Sequence, residues 1–394
     1  MNVIAQENEN RKRMKVSVSC PAKFHAFYLA EQLHKRGALQ RLYTSFYGHW
    51  GSKRNNRGIN IPIDLVRTNL VSAFLQYGYN PASDMFGFRL FGRWVAGLLS
   101  DSDIVTTWGL SALPIINRAH ELGIVAIVER GSSHATYQRD VLIEEYEKWG
   151  KPTNELVRSF TPERMDQELL EYELADYVTV PSSFAERTFL ENGFSKNKLI
   201  KIPYGVNLTE FQQVPKQDKI FRVVYSGAMT LRKGVHYLLQ AFCELNLPKA
   251  ELWFLGGDLP EIKSFFKQYE GRFRHFGQLP QIELHRYYSQ CSVFVMNSIE
   301  DGFGLVVPQA MACGLPIICS VNAGANDLIE NEKNGFSVPI RDVEALKEKI
   351  LYLYEHQDIC HEMGQEAKTT VEKGYSWDDY GKKMKNAYQR ILEN

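Results

Sequence analysis

Ser298–Gly314 reads SIEDGFGLVVPQAMACG, and this stretch decides how the rest of the chain is read. Upstream lies Ser292-Val293-Phe294-Val295-Met296, and downstream Leu315-Pro316-Ile317-Ile318-Cys319. Both are short apolar runs of the kind that form buried strands. Gly302 and Gly304 predict a loop after the first run. A helical pattern follows from about Leu305 to Cys313, with Pro308 tolerable only in its first turn. Gly314 stands where a left-handed cap residue belongs. The unit is strand, glycine loop, helix, strand. Free backbone N–H groups and the positive end of a helix then suit a phosphate over the loop. Glu300-Asp301 stands at the lip of that loop. A carboxylate does not answer a phosphate's charge; beside a phosphate it serves to accept hydrogen bonds from hydroxyls, as on a sugar. The bland alternative is an ordinary turn with solvated acids, and spacing alone leaves both open.

Working outward, 394 residues exceed what one core usually serves, so two domains are expected. Forty-six basic and 46 acidic residues cancel, which argues against a nucleic-acid binder. Six cysteines are scattered in mostly apolar contexts with no Cys-x-x-Cys, the pattern of buried reduced thiols in a cytosolic protein. Residues 1–13 are a polar tail with Arg11-Lys12-Arg13 and no apolar centre, unlike a signal peptide. There is no run of about 18 apolar residues, so no membrane-spanning helix is expected.

The opening stretch resembles the signature of family 4 retaining glycosyltransferases, which have the GT-B fold. That signature runs Ser-x-x-Glu-Gly-Phe-Gly-Leu, then a second Glu eight residues after the first, then Ala-Met-Ala-x-Gly. Here Asp301 stands where the first Glu is usual and Gln309 where the second is usual, with the loop length kept. Both departures preserve hydrogen-bond acceptors, and Glu300, one residue early, could substitute for the shorter Asp301. The family's Gly-Arg-Leu-x-x-x-Lys-Gly loop is matched in length by Gly227–Gly234, between a strand at Phe221–Tyr225 and a helix at Val235–Leu245. Lys233 fits the Lys, Ala228 replaces the Arg, and Arg232 adds a cation nearby. Cations are out of place at a helix start unless an anion is bound there. Gly277 and Leu279 resemble the segment that seats the nucleotide base. Ile202-Pro203-Tyr204-Gly205-Val206-Asn207 resembles the interdomain hinge, with Tyr204 where Asn is usual. Asp176–Ser183 resembles the last strand of the N-terminal domain. Tyr375-Ser376-Trp377, with the helix to Leu392, resembles the segment that crosses back to the first domain.

The N-terminal part departs more. Met14–Cys20 reads as a strand, Pro21-Ala22-Lys23 as its turn, Phe24–Lys35 as a helix and Leu39–Phe46 as a second strand. The turn lacks the family's paired glycines, so Lys23 or His25 could meet an acceptor there; His25 could equally be packed. Residues 64–99 are aromatic and poor in acids, which fits two core helices or a face for a membrane surface. Asp101-Ser102-Asp103 looks like a metal-binding Asp-x-Asp but sits in a helix-to-strand turn. Ile124–Val128 reads as a buried strand feeding Glu129–His134, and ligands lie at the carboxyl ends of such strands. Arg130, Ser133 and His134 are therefore expected in a cleft. The family often carries a His close after this strand, and His134 is the candidate. Glu144–Glu173 reads as helical and solvated on one face.

The resemblance implies GT-B: an acceptor-binding domain over 14–204, a nucleotide-sugar domain over 205–375, and a helix over 376–394 returning to the first. It implies a cytoplasmic enzyme, with a peripheral membrane contact in view, that moves a hexose-type sugar with retention. The donor is a nucleotide-diphosphate sugar; the acceptor hydroxyl belongs to a glycan, a lipid or a small molecule. Lys233 and Arg232 would stabilise the leaving diphosphate, Asp301 would hold sugar hydroxyls, and His134 would stand near the reacting centre. Gly227, Ala228, Gly277, Leu279, Glu300, Gly302, Phe303, Gly304, Leu305 and Gln309 would hold the donor. Lys23, His25, Arg130 and Ser133 would hold the acceptor. No protein-bound metal is expected, and a leaving phosphate oxygen would take the acceptor proton. Another GT-B enzyme, such as an epimerase or phosphorylase, or a non-catalytic sugar-nucleotide binder, remains as an alternative.

Overall fold

A computed structural model describes residues 14–22, 25–45, 60–70, 81–153, 156 and 159–393. The polar tail, Lys23 and part of the aromatic 64–99 segment lie outside them. The first sheet comprises β1 (Val16–Cys20), β2 (Leu39–Thr44), β3 (Val66–Thr68), β4 (Ile104–Trp108), β5 (Val125–Glu129), β6 (Tyr177–Val180) and β7 (Leu199–Lys201). All are parallel, in the spatial order β3-β2-β1-β4-β5-β6-β7. The second comprises β8 (Phe221–Ser226), β9 (Ala250–Leu255), β10 (Arg274–His275), β11 (Val293–Met296), β12 (Ile317–Ser320) and β13 (Gly335–Val338), parallel in the order β10-β9-β8-β11-β12-β13. Sheets of this type are covered on both faces; β1, β4, β8 and β11 are buried at every residue, their few polar side chains included.

The connections of the first sheet carry α1 (Ala26–Lys35), α2 (Pro81–Leu98), α3 (Leu113–Leu122), α4 (Ala135–Lys148), α5 (Pro162–Leu174) and α6 (Ser183–Glu191). Those of the second carry α7 (Val235–Leu245), α8 (Lys263–Gln268), α9 (Leu284–Tyr288), α10 (Val306–Ala312), α11 (Val343–Glu355) and α12 (Gln357–Glu372). α13 (Trp377–Glu393) returns to the first unit. It stacks Trp377 on Tyr28 of α1 at 3.9 Å, ties Asp378 to Arg36 at 2.7 Å, and sets Tyr388 against Thr106 of β4 at 2.8 Å. In each sheet the order reverses between the first strand and the fourth. Such switch points open a crevice at the carboxyl ends of the strands. The loops after β1, β4 and β5 therefore face those after β8 and β11.

Three expectations need correction. The strand at Tyr177–Val180 is not the last of its sheet: β7 pairs beyond it, and its three residues were too short to stand out. The 64–99 segment opens with a strand, β3, that was not expected; its described residues then include a helical Leu70 and the helix α2. α2 buries Phe91 and Val95 but leaves Phe86 57% exposed. The acidic 144–173 segment is broken between α4 and α5, and two of its acids are fully buried. Glu171 accepts the N–H groups of Leu110, Ala112 and Leu113, capping α3, and burial pushes its carboxyl up to about 7. Glu145 reaches the second unit and takes hydrogen bonds from His236, Tyr237 and Arg341 at 3.0, 2.9 and 2.6 Å. Asp101 and Asp103 both engage Lys15, at the amino ends of the strands and away from the crevice. All six cysteines are free and buried.

Candidate active site

A cavity of about 730 Å³ occupies the crevice, walled by loops of both units. From the second unit come Gly227, Arg232 and Lys233 after β8, and Asp301, Phe303, Gly304, Leu305 and Val306 after β11. Two glycines make that loop feasible. Gly304 has φ +83°, a left-handed conformation that side chains resist. A Cβ on Gly302 would lie 2.2 Å from the Gly131 carbonyl oxygen and 2.5 Å from Ser132 Cα, so only glycine lets the two units touch there.

The adjacent carboxylates diverge. Asp301 faces the cavity and accepts Lys233 Nζ. Burial lowers the Lys233 pKa, opposed by Asp301. Glu300 turns away and is fully buried, which corrects its expected place against the donor. It accepts Ser133 N–H at 3.0 Å, Ser133 Oγ at 2.8 Å, Gln138 Nε2 at 2.9 Å and Arg232 Nε at 2.7 Å. Burial alone would raise its pKa; Arg232, the Ser133 N–H and Gln138 hold it down at about 2. Glu300 thus bolts the two units together, and Arg232 is shared between that bolt and the cavity wall.

The acceptor-side expectations divide. His25 is on the cavity wall, with Nε2 2.9 Å from Glu129 Oε1. Arg130 also lines the cavity, but its guanidinium is spent on Glu168, Gln138 and the Ser133 carbonyl. Ser133 is not on the wall: both its donors serve Glu300. His134 is not there either. Its Nδ1 accepts Thr136 N–H at 3.3 Å to cap α4, and its ring packs on Phe189 and Tyr172. It borders a separate hollow on the far side. Burial, and then the Arg130 charge, lower its pKa to about 4. Ala228, Gly277, Leu279 and Gln309 also lie off this wall; the Gln309 amide oxygen is buried without a hydrogen-bond partner. Lys23 is outside the described residues.

Sequence reasoning missed Glu129, Tyr204, Trp108 and Tyr225, all on the wall. Glu129 gave one signal: it is an acid ending a buried parallel strand, at the end where ligands lie.

Residues 207–370 match the family described as glycosyl transferases group 1. An uncharacterised glycosyltransferase of Methanocaldococcus jannaschii is 25% identical over 242 residues, 56% of this chain and 62% of that protein. The match thus spans about three fifths of that relative's length. Sucrose-phosphate synthase from Thermosynechococcus elongatus has a similar structure, with TM-score 0.67 and 20% identity over 97% of this chain and 100% of that one. So does Anabaena HepE, solved in complex with UDP-glucose, with TM-score 0.71 and 13% identity over 96% of this chain and 100% of that one. With its two facing parallel sheets the chain has the GT-B fold, and the match to group 1 glycosyl transferases lies across its second unit, over less than half of the chain.

Proposed function

We propose that the protein transfers a hexose-type sugar, with retention, from a nucleotide-diphosphate sugar to an acceptor hydroxyl. One observation carries the reading: Arg232 and Lys233 meet Asp301 and the Gly302–Gly304 loop in a single cavity at a switch point. Cations at a helix start answer an anion, and a diphosphate supplies one. Asp301, already paired with Lys233, is left to accept hydroxyls of the adjoining sugar. The transition state is oxocarbenium-like, and charge gathers on the leaving diphosphate. Lys233, Arg232 and the backbone of Gly304–Val306 would stabilise that charge, at about 3–4 kcal/mol per preorganised donor. The UDP-glucose complex of a protein of similar fold agrees with such a donor. The acceptor would enter from the His25 side and belong to a glycan, a glycolipid or a small metabolite. No protein-bound metal is required, and the setting is cytoplasmic. Among the described residues no helix is long and apolar enough to cross a membrane.

The test is a thermal-shift panel of UDP, GDP and ADP sugars, followed by assay of nucleoside diphosphate release. A ligand at a hundred times its dissociation constant adds about 2.7 kcal/mol of stability. One base class should stabilise the protein and turn over. Failure of the whole panel to bind would overturn the reading; tight binding without release would favour a non-catalytic binder.

A further inference from the structure

Two departures from the family pattern, His25 in the first turn and Tyr204 at the hinge, meet in space around Glu129. His25 Nε2 lies 2.9 Å from Glu129 Oε1, and the Tyr204 hydroxyl donates to the same oxygen at 3.2 Å. Thr179 Oγ1 donates to Oε2. The pair is nearly buried, with 8% and 3% of the side chains exposed, yet both line the cavity that holds Lys233 and Asp301. The His25 ring is clamped by Tyr204, centroids 4.0 Å apart, and by Trp108 at 5.3 Å. Tyr204 in turn meets the Phe303 ring of the donor loop at 5.4 Å. A Cβ on Gly131 would sit 3.6 Å from His25 Cε1, and the Gly131 carbonyl abuts Gly302. The imidazole is therefore one residue away from the donor loop.

An ionised carboxylate only accepts hydrogen bonds, so Glu129 fixes the imidazole proton on Nε2 and leaves the lone pair on Nδ1. A histidine held in one tautomer by a carboxylate, beside a sugar-transfer cavity, has the make-up of a general base. We infer that His25, oriented by Glu129 and Tyr204, takes the proton of the acceptor hydroxyl. The inference rests on the function proposed above. In this step the acceptor O–H bond breaks and its proton passes to His25 Nδ1. The oxygen bonds to the anomeric carbon on the same face from which the phosphate departs, as the bond from that carbon to phosphate breaks, so that configuration is retained. The electron pair leaves with the nucleoside diphosphate, and the imidazolium formed is paired with Glu129. The proton thus ends on the acceptor domain rather than on the leaving phosphate. The titratable neighbours of the ring are Glu129 on β5 and Tyr204 on the hinge, with Tyr380 of α13 behind Tyr204. Arg130, next in sequence to Glu129, is committed to Glu168.

The experiment uses the full chain and the sugar nucleotide giving the largest thermal shift in the panel above. Nucleoside diphosphate release is followed with water as acceptor, across pH. His25→Gln keeps a donor for Glu129 but has no basic nitrogen. Its kcat should fall about 10²- to 10⁴-fold, the usual worth of a general base. The donor thermal shift should stay unchanged, and the acid limb of the kcat profile should disappear. Retention of kcat within threefold, or a loss that leaves the acid limb in place, would overturn the inference while sparing the proposed function. Should His25→Gln fail to fold, Tyr204→Phe removes a single hydroxyl from Glu129 and decides instead. A several-fold lower kcat with an unchanged donor shift supports the inference, and an unaltered rate and profile overturns it. If the unaltered chain releases nothing from any donor, the transferase reading fails first and takes this one with it.

Discussion

The two walls of the cavity are built on different principles. The wall proposed to hold the donor is built from local loops: Arg232 and Lys233 follow one strand, and Asp301, Phe303 and Gly304 follow its neighbour. The wall proposed to take the acceptor is long-range. His25, Trp108, Glu129 and Tyr204 come from four separate segments and hold one another. A phosphate is recognised by backbone, glycine and local charge, which must be adjacent in sequence. A hydroxyl-bearing acceptor is recognised by side chains, which need be adjacent only in space. The donor half can therefore be read from two local stretches, one after each strand, and the acceptor half cannot.

Substitutions on the donor wall test this contrast most severely. Lys233→Ala should lower kcat about a thousandfold, the loss of one strong transition-state donor, with the fold intact. A variant retaining half its kcat would remove Lys233 from the chemistry. Asp301→Asn should follow, at roughly ten- to several-hundredfold, or about 1.4–3.5 kcal/mol of lost transition-state interaction. Glu300→Gln should do less to kcat and more to the fold, because its partners are protein groups rather than ligand. A loss of about 1–3 kcal/mol in denaturant unfolding is expected, since Gln cannot serve all four donors. A stable but inactive Glu300→Gln protein would mean that the two carboxylates have been assigned the wrong way round.

The same bolt gives an acid-limb prediction. The Glu300 pKa is depressed from 4.5 to about 2, so its contribution to stability is fully present above pH 4.5 and is lost as pH falls toward 2. On the order of 3 kcal/mol is at stake at 1.36 kcal/mol per unit. Acid unfolding of Glu300→Gln should accordingly be flatter over that window than that of the unaltered chain; parallel curves would remove Glu300 as the source. The smallest effect is expected from chelation. Asp101 and Asp103 engage Lys15 at the opposite end of the sheet, so excess EDTA should leave turnover unchanged. Complete loss, restored by manganese, would reverse that.

What was legible follows the same division. The paired parallel sheets and the Lys233 and Asp301 loops could be read because apolar runs and glycines are local signals. His134 misled because a strand end predicts which loop enters a crevice, not which of its side chains does. It became a helix cap, while Glu129, five residues earlier, took the wall. Glu145 lies in a segment expected to be solvated on one face, and nothing local marks it as buried, because its partners His236 and Arg341 lie 91 and 196 residues away. Nothing in an acidic helical segment announces such partners.

The chain passes between the two sheets twice, near Val206 and again near Ser376, and the two passages touch. Val206 N–H bonds to the Tyr375 carbonyl at 2.8 Å, and a Cβ on Gly205 would strike Trp377 N at 2.6 Å. Two tethers side by side act like the pins of one door: they permit a swing about a single axis and resist torsion. Glu145 of the first unit and Glu300 of the second are each bonded across to the other. Parting the two units would therefore require both carboxylates to be wetted together.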